Sequence, residues 1–254
     1  MPTTAFEGSR ARSTWSGWEW SEEEIVELSR DITEQTLDLT FEIDVSERLK
    51  DLDSTSASAE WLTEFLKNAV SHEVLPWQVG EAIAEAVLAR DHEVVFPWNT
   101  RRDERNPRAR LQGADLVGIS VQSDDCQFVF GEVKSSSDKN TPPRVMSGEG
   151  GMQQQLEHLL NDNTLRFALI KWLFSRVREE NRSLFDAALA KFIESSGSSV
   201  RLVGVLVRDT SPSEDDVKTT GKALGDKVSK PGSAELHAMY MPRPMVEWTE
   251  WVTA

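Results

Sequence analysis

One cysteine, Cys126, occurs in 254 residues, which excludes an internal disulfide and a multi-cysteine zinc site. Beside a polar turn, that thiol reads as inert. Histidine is also scarce: His72, His92, His158 and His237 show no paired ligand spacing and read as ordinary surface or core residues. No apolar run approaches the roughly 20 residues that span a bilayer. No basic start leads into an apolar segment, so a soluble, cytoplasmic protein is expected. Internal repeats and low-complexity tracts are absent from the sequence. Positive charge is in short supply, with 28 Lys and Arg against 43 Asp and Glu and a net charge of −15. Proteins that hold phosphate backbones usually carry a basic footprint, so any nucleic-acid affinity of this chain has to be local or supplied by a partner. With 39% hydrophobic residues, the length supports one good core and at most a small appended lobe.

Two short apolar runs in the middle of the chain end in charged groups. Gly113-Ala114-Asp115-Leu116-Val117-Gly118-Ile119 is followed by Phe128-Val129-Phe130-Gly131-Glu132-Val133-Lys134. Rich in Val, Ile and Phe and separated by Gln122-Ser123-Asp124-Asp125, they read as a β-hairpin. If Val121 pairs with Cys126, Asp115 faces Glu132, and Lys134 points to the same side as Glu132. Facing carboxylates destabilise a strand pair unless a cation compensates. Hard oxygen ligands suit Mg²⁺ (or Mn²⁺), which keeps much of its shell for water and phosphate oxygens. Asp115 and Glu132 are therefore candidate metal ligands, the backbone carbonyl of Val133 a third, and Lys134 the group that holds a nucleophilic water or stabilises transition-state charge. The alternative is a structural ion pair between Glu132 and Lys134 at a solvated strand end. Against it, Phe128 to Phe130 is uniformly apolar, as in a strand buried on both faces, yet runs directly into the charges.

Asp115 followed by Glu132-Val133-Lys134 resembles the PD-(D/E)XK phosphodiesterase superfamily, which includes restriction-type endonucleases, Holliday-junction resolvases and RecB-like nucleases. Ala114 stands where the family usually has proline. The resemblance implies a helix before the first core strand carrying a Glu that adds to the metal site, and Gly80-Glu81, opening a helical run to Arg90, matches it. A Gln on the helix after the Lys marks the RecB-like branch; Gln155 in Gln153-Gln154-Gln155 corresponds, without the Tyr that often follows. The likeness covers Trp77 to Leu160. The stretch around Gly131 to Ser135 is also similar to small standalone nucleases of bacterial antiphage systems, such as the nuclease subunit of Hachiman-type systems, which act with a helicase. The implied fold is an α/β restriction-endonuclease-like mixed sheet flanked by helices with an N-terminal helical elaboration, and the implied activity is Mg²⁺-dependent cleavage of DNA. A non-catalytic binding or assembly subunit that kept this fold, and an enzyme acting on RNA or a nucleotide, remain as alternatives.

Arg101, Arg102, Arg105, Arg108 and Arg110 concentrate the positive charge just before the Asp115 strand and are the expected phosphate contacts, although Asp103 and Glu104 offset part of it. Met1 to Trp20 reads as a poorly ordered arm, with Trp15, Trp18 and Trp20 packing on the domain or anchoring a partner. Residues 21–75 form the N-terminal elaboration and 76–254 the nuclease-like domain. Ser21-Glu22-Glu23-Glu24 carries a helix-start signature. A strand is expected over Leu37 to Val45 and a helix over Ala59 to Ser71. Pro142 to Gly151 is a loop, able to close over substrate or simply to connect. Helices are expected from Gly151, over Thr164–Val177, over Ser183–Glu194 and within Pro212–Val228. Strands are expected at Ser199–Val207 and Glu235–Met241, with a docked terminal helix bearing Trp248 and Trp251.

Overall fold

The computed structural model of the protein describes residues 2–37, 74–97, 113–122 and 125–253. A mixed sheet of seven strands forms its centre: β1 Thr3–Arg10, β2 Ser13–Glu19, β3 Val94–Val95, β4 Leu116–Gln122, β5 Asp125–Ser136, β6 Val200–Arg208 and β7 Ser233–Tyr240. Their order across the sheet is β1-β2-β7-β6-β5-β4-β3. β5, β6 and β7 run parallel, and β2 joins β7 in parallel. The hairpins β1-β2 and β4-β5 are antiparallel. Parallel strands need crossovers. The chain supplies them with helices α3 Met152–Asn161, α4 Asn163–Phe174 and α5 Arg182–Glu194 between β5 and β6, and with α6 Asp215–Gly225 between β6 and β7.

Period-two alternation divides the central strands between two cores. Phe128, Phe130, Leu202, Leu206 and Leu236 face α3, α5 and α6, together with Met152, Leu156, Phe185 and Val217. Val129, Val133, Val203, Val205 and Met239 face the other way, onto helix α2, Pro76–Asp91. β6 is buried along its whole length: its apolar run 202–207 faces both cores, and Arg201 and Arg208 are buried at either end of it. α2 is buried from Val79 to Leu88 because α1, Glu22–Leu37, covers it from outside. α1 starts where the sequence signature places it: the Ser21 N–H donates to Glu24 Oε2 at 2.9 Å and the Glu24 N–H donates to Ser21 Oγ. The terminal helix α7, Glu250–Thr253, docks on α1 through stacked Trp248 and Trp251.

The expectation of a poorly ordered arm over Met1 to Trp20 is corrected by the structure. Residues 3–19 are a hairpin that extends the sheet beyond β7. Its tryptophans fix it from both sides: Trp15 is buried against Gly221 of α6, while Trp18 points to the α2 face and Trp20 is buried there. The outermost strand, β1, is mostly exposed and polar, as suits a sheet edge. The connector over Pro142 to Gly151 is folded, with a 3-10 turn at Arg144–Met146 and a buried Met146. The expected strand beyond Leu37, the helix over Ala59–Ser71, and Arg101, Arg102, Arg105, Arg108 and Arg110 lie outside the described residues. Among the described residues no helix is long and apolar enough to cross a membrane.

Candidate active site

β4 and β5 pair in the expected register, Val121 with Cys126 and on to Leu116 with Gly131. The ladder stops one residue short of Asp115. There the Asp115 N–H donates to the Gly131 carbonyl at 2.9 Å, and the Val133 N–H donates to Asp115 Oδ2 at 2.9 Å. Asp115 thus leaves the regular pairing, and its carboxylate replaces a backbone acceptor at the end of β5. Val133 holds Asp115 through its amide; its carbonyl remains the group the sequence offers as a ligand. Gly131 is required just before the charged pair, since a Cβ there would stand 2.3 Å from the Val203 carbonyl of β6.

Glu132 and Lys134, two residues apart, share the face that carries Phe128 and Phe130. Lys134 Nζ lies 2.5 Å from Glu132 Oε1, with the Glu132 side chain 7% and the Lys134 side chain 23% exposed. Burial, and next the charge of Asp115, push the Glu132 carboxyl up to about 7 against the pull of Lys134. A hydrogen bond to Asp115 that only protonated Glu132 can donate adds to the rise. With both carboxyls ionised, the single ammonium of Lys134 leaves one negative charge uncompensated at this largely buried group. An all-oxygen donor set of this kind fits a hard divalent cation such as Mg²⁺.

Glu81 is buried in α2. Gly80 before it abuts β5, where a Cβ would meet Ser135 Oγ at 2.1 Å, so the Gly-Glu pair lies against the strand just past Lys134. α2 packs on the face opposite to Glu132 and Lys134. Glu81 does not join Asp115 and Glu132 in a three-ligand cluster: among the described residues, ligand atoms of three such side chains converge within 4.8 Å only at His92, Glu235 and His237. Gln155 is half-buried in the first turns of α3, and among the described residues no hydrogen bond links its side chain to the carboxylates.

Two further groups bear on the site. Arg208 at the end of β6 is buried with Asp216, and its guanidinium donates to the carbonyls of Asp138 and Asn140 in the loop that follows Lys134. Tyr240 Oη donates to Asp216 Oδ2 at 2.8 Å. This network fixes the loop after Lys134, which carries exposed Lys139 and Arg144. Nothing in the local sequence signals it, because Arg208 meets Tyr240 through parallel pairing and Asp216 reaches both from α6. The second group is a histidine cluster: His92 and His237, read from the sequence as ordinary surface or core residues, meet Glu235 with one ligand atom of each within 4.8 Å of the others. No family model and no curated protein matches the chain.

Proposed function

We propose that this protein is a metal-dependent phosphodiesterase of the restriction-endonuclease-like type, hydrolysing DNA with Mg²⁺ or Mn²⁺. The observation that carries the reading is the convergence of Asp115, Glu132 and Lys134 at the end of β5, with Glu132 buried and its carboxyl raised to about 7. Awkwardly placed ionisable groups of this kind concentrate at functional sites. Asp115 and Glu132 would hold the ion, with the Val133 carbonyl as a further oxygen. When bound, the ion supplies a more acidic water and a polarised phosphate. Lys134 orients the attacking water and stabilises the charge that builds on the phosphate. The ammonium is already poised, held to Glu132 and partly open to solvent.

Lys139 and Arg144, exposed on the loop after Lys134, and the arginine-rich segment Arg101 to Arg110 preceding Asp115 offer phosphate contacts on an otherwise acidic protein. Because the net charge of −15 opposes long-range attraction to a polyanion, the chain's own affinity for DNA is weak and a second subunit, such as a helicase, supplies the rest. Action against phage or foreign DNA is the setting that the sequence resemblance suggests.

The test is incubation of the purified chain, alone and with any co-purifying subunit, with linear, circular and single-stranded DNA in Mg²⁺ or EDTA. Cleavage is expected in Mg²⁺ only, and is expected to disappear in Lys134→Ala and Glu132→Ala. Full cleavage by either variant, with contaminating nucleases excluded, would overturn the reading.

A further inference from the structure

On the other face of the sheet, Glu235 and His237 project side by side from β7, as residues two apart on a strand must. His92, immediately after α2, closes on them, and ligand atoms of all three lie within 4.8 Å of one another. His237 is 4% exposed, yet its Nε2 has no hydrogen-bond partner. Its nearest acidic neighbour, Glu235 Oε2, is 3.5 Å away, too long for a normal hydrogen bond. A buried polar atom without a partner costs about 1–3 kcal/mol, and its persistence asks for an explanation.

The other ring nitrogen supplies one. His237 Nδ1 lies 3.1 Å from Ser16 Oγ of β2. If Nδ1 donates to that hydroxyl, Nε2 presents a bare lone pair to His92 and Glu235, the arrangement in which a metal-binding histidine is oriented by an outer partner. The imidazoles are held further by Trp18, whose ring lies 5.0 Å from His237 and 5.2 Å from His92. Glu235 is fixed by Arg201, which donates to Oε1 at 2.8 Å and to Oε2 at 2.6 Å. Arg201 is anchored in turn by the His92 carbonyl and Ser120 Oγ. A carboxylate has about four lone-pair sites, so the ion pair leaves Glu235 able to accept again.

We propose that His92, Glu235 and His237 form a second metal site, selective for an imidazole-preferring divalent ion of the zinc class. Two nitrogens and one oxygen match Zn²⁺ or Co²⁺ and suit Mg²⁺ poorly. The adjacent guanidinium disfavours an ion held by charge alone, which reinforces that selection. His92 and Glu235 are only partly buried, so solvent reaches the edge of the cluster. The bound ion would clip β7 to the turn between α2 and β3, joining segments distant in sequence.

The probe is Co²⁺, added to the purified full chain and followed by visible absorption, with Zn²⁺ as competitor. One equivalent is expected to give bands of a low-coordinate nitrogen-ligated ion, with equal affinity in wild type and in Glu132→Gln. His92→Ala should weaken binding by more than about tenfold, since loss of even an outer partner costs roughly 10–100-fold. His92→Phe retains a ring against Trp18 while removing the donor atoms, and circular dichroism checks that both variants are folded. Three results would each overturn the proposal: no band in the wild type, unchanged binding in a folded His92→Phe, or a band lost in Glu132→Gln. The last would place the ion at the Asp115 site instead.

Discussion

Glu132→Gln should make the metal-free protein more stable at alkaline pH, and its sign separates an active-site carboxylate from a structural ion pair. Burial, with Asp115 adding to it, raises the Glu132 carboxyl from 4.5 to about 7 in the folded protein. The folded state therefore keeps its proton after the unfolded chain has lost it. The associated stability is fully present below about pH 4.5 and is lost as the pH rises through about 7. At about 1.4 kcal/mol per pH unit of separation, the loss is on the order of 3 kcal/mol above pH 8. That figure already contains the favourable pull of Lys134, which limits the rise. Glutamine keeps the shape and cannot ionise, so the variant escapes the loss. Thermal unfolding in EDTA across pH 5–9 should give curves that nearly coincide at the acid end and separate above pH 7. The variant should be higher by roughly 2–4 °C per kcal/mol. Adding Mg²⁺ should restore the wild type selectively, because the ion binds the ionised folded form. A variant less stable than wild type at pH 8 without metal would mean that the Glu132–Lys134 contact is stabilising in itself, and the catalytic reading would lose its main support.

Asp115→Asn should weaken Mg²⁺ binding measured by calorimetry, whereas Lys134→Ala should bind Mg²⁺ at least as well while losing cleavage, because it removes a nearby positive charge; equal loss of metal in both would refute the division of roles. Asp216→Ala should cost about 3–5 kcal/mol in denaturant unfolding, since it leaves buried Arg208 without its counter-charge; a cost below about 1 kcal/mol would show that the network does not hold the fold. Deleting residues 1–20 should yield insoluble or poorly folded protein, because it strips β1 and β2 from β7 and removes buried Trp15 and Trp20. A soluble deletion variant with wild-type circular dichroism would show that β1 and β2 do not hold the fold together.

The sequence by itself determined what depends on near neighbours and period. Apolar runs bounded by polar turns marked β4 to β7, and pairing Val121 with Cys126 fixed the register that places Asp115 beside Glu132. The Ser21 cap was legible because both of its hydrogen bonds close within three residues. The opening hairpin was not: β1 is a mostly exposed edge with little apolar pattern, and the tryptophans that identify β2 as a strand do so only because β7 and α6 wait on either side of it. Tertiary structure alone decided that Asp115 turns out of the ladder to cap the Val133 amide, that α2 sets Glu81 behind the sheet, and that Arg208 meets Asp216 and Tyr240. It also brought His92 to Glu235 and His237. Parallel pairing joins strands separated by whole helices, so contacts such as Arg208 with Tyr240 or Arg201 with Glu235 have no short spacing in the chain by which they could have been found.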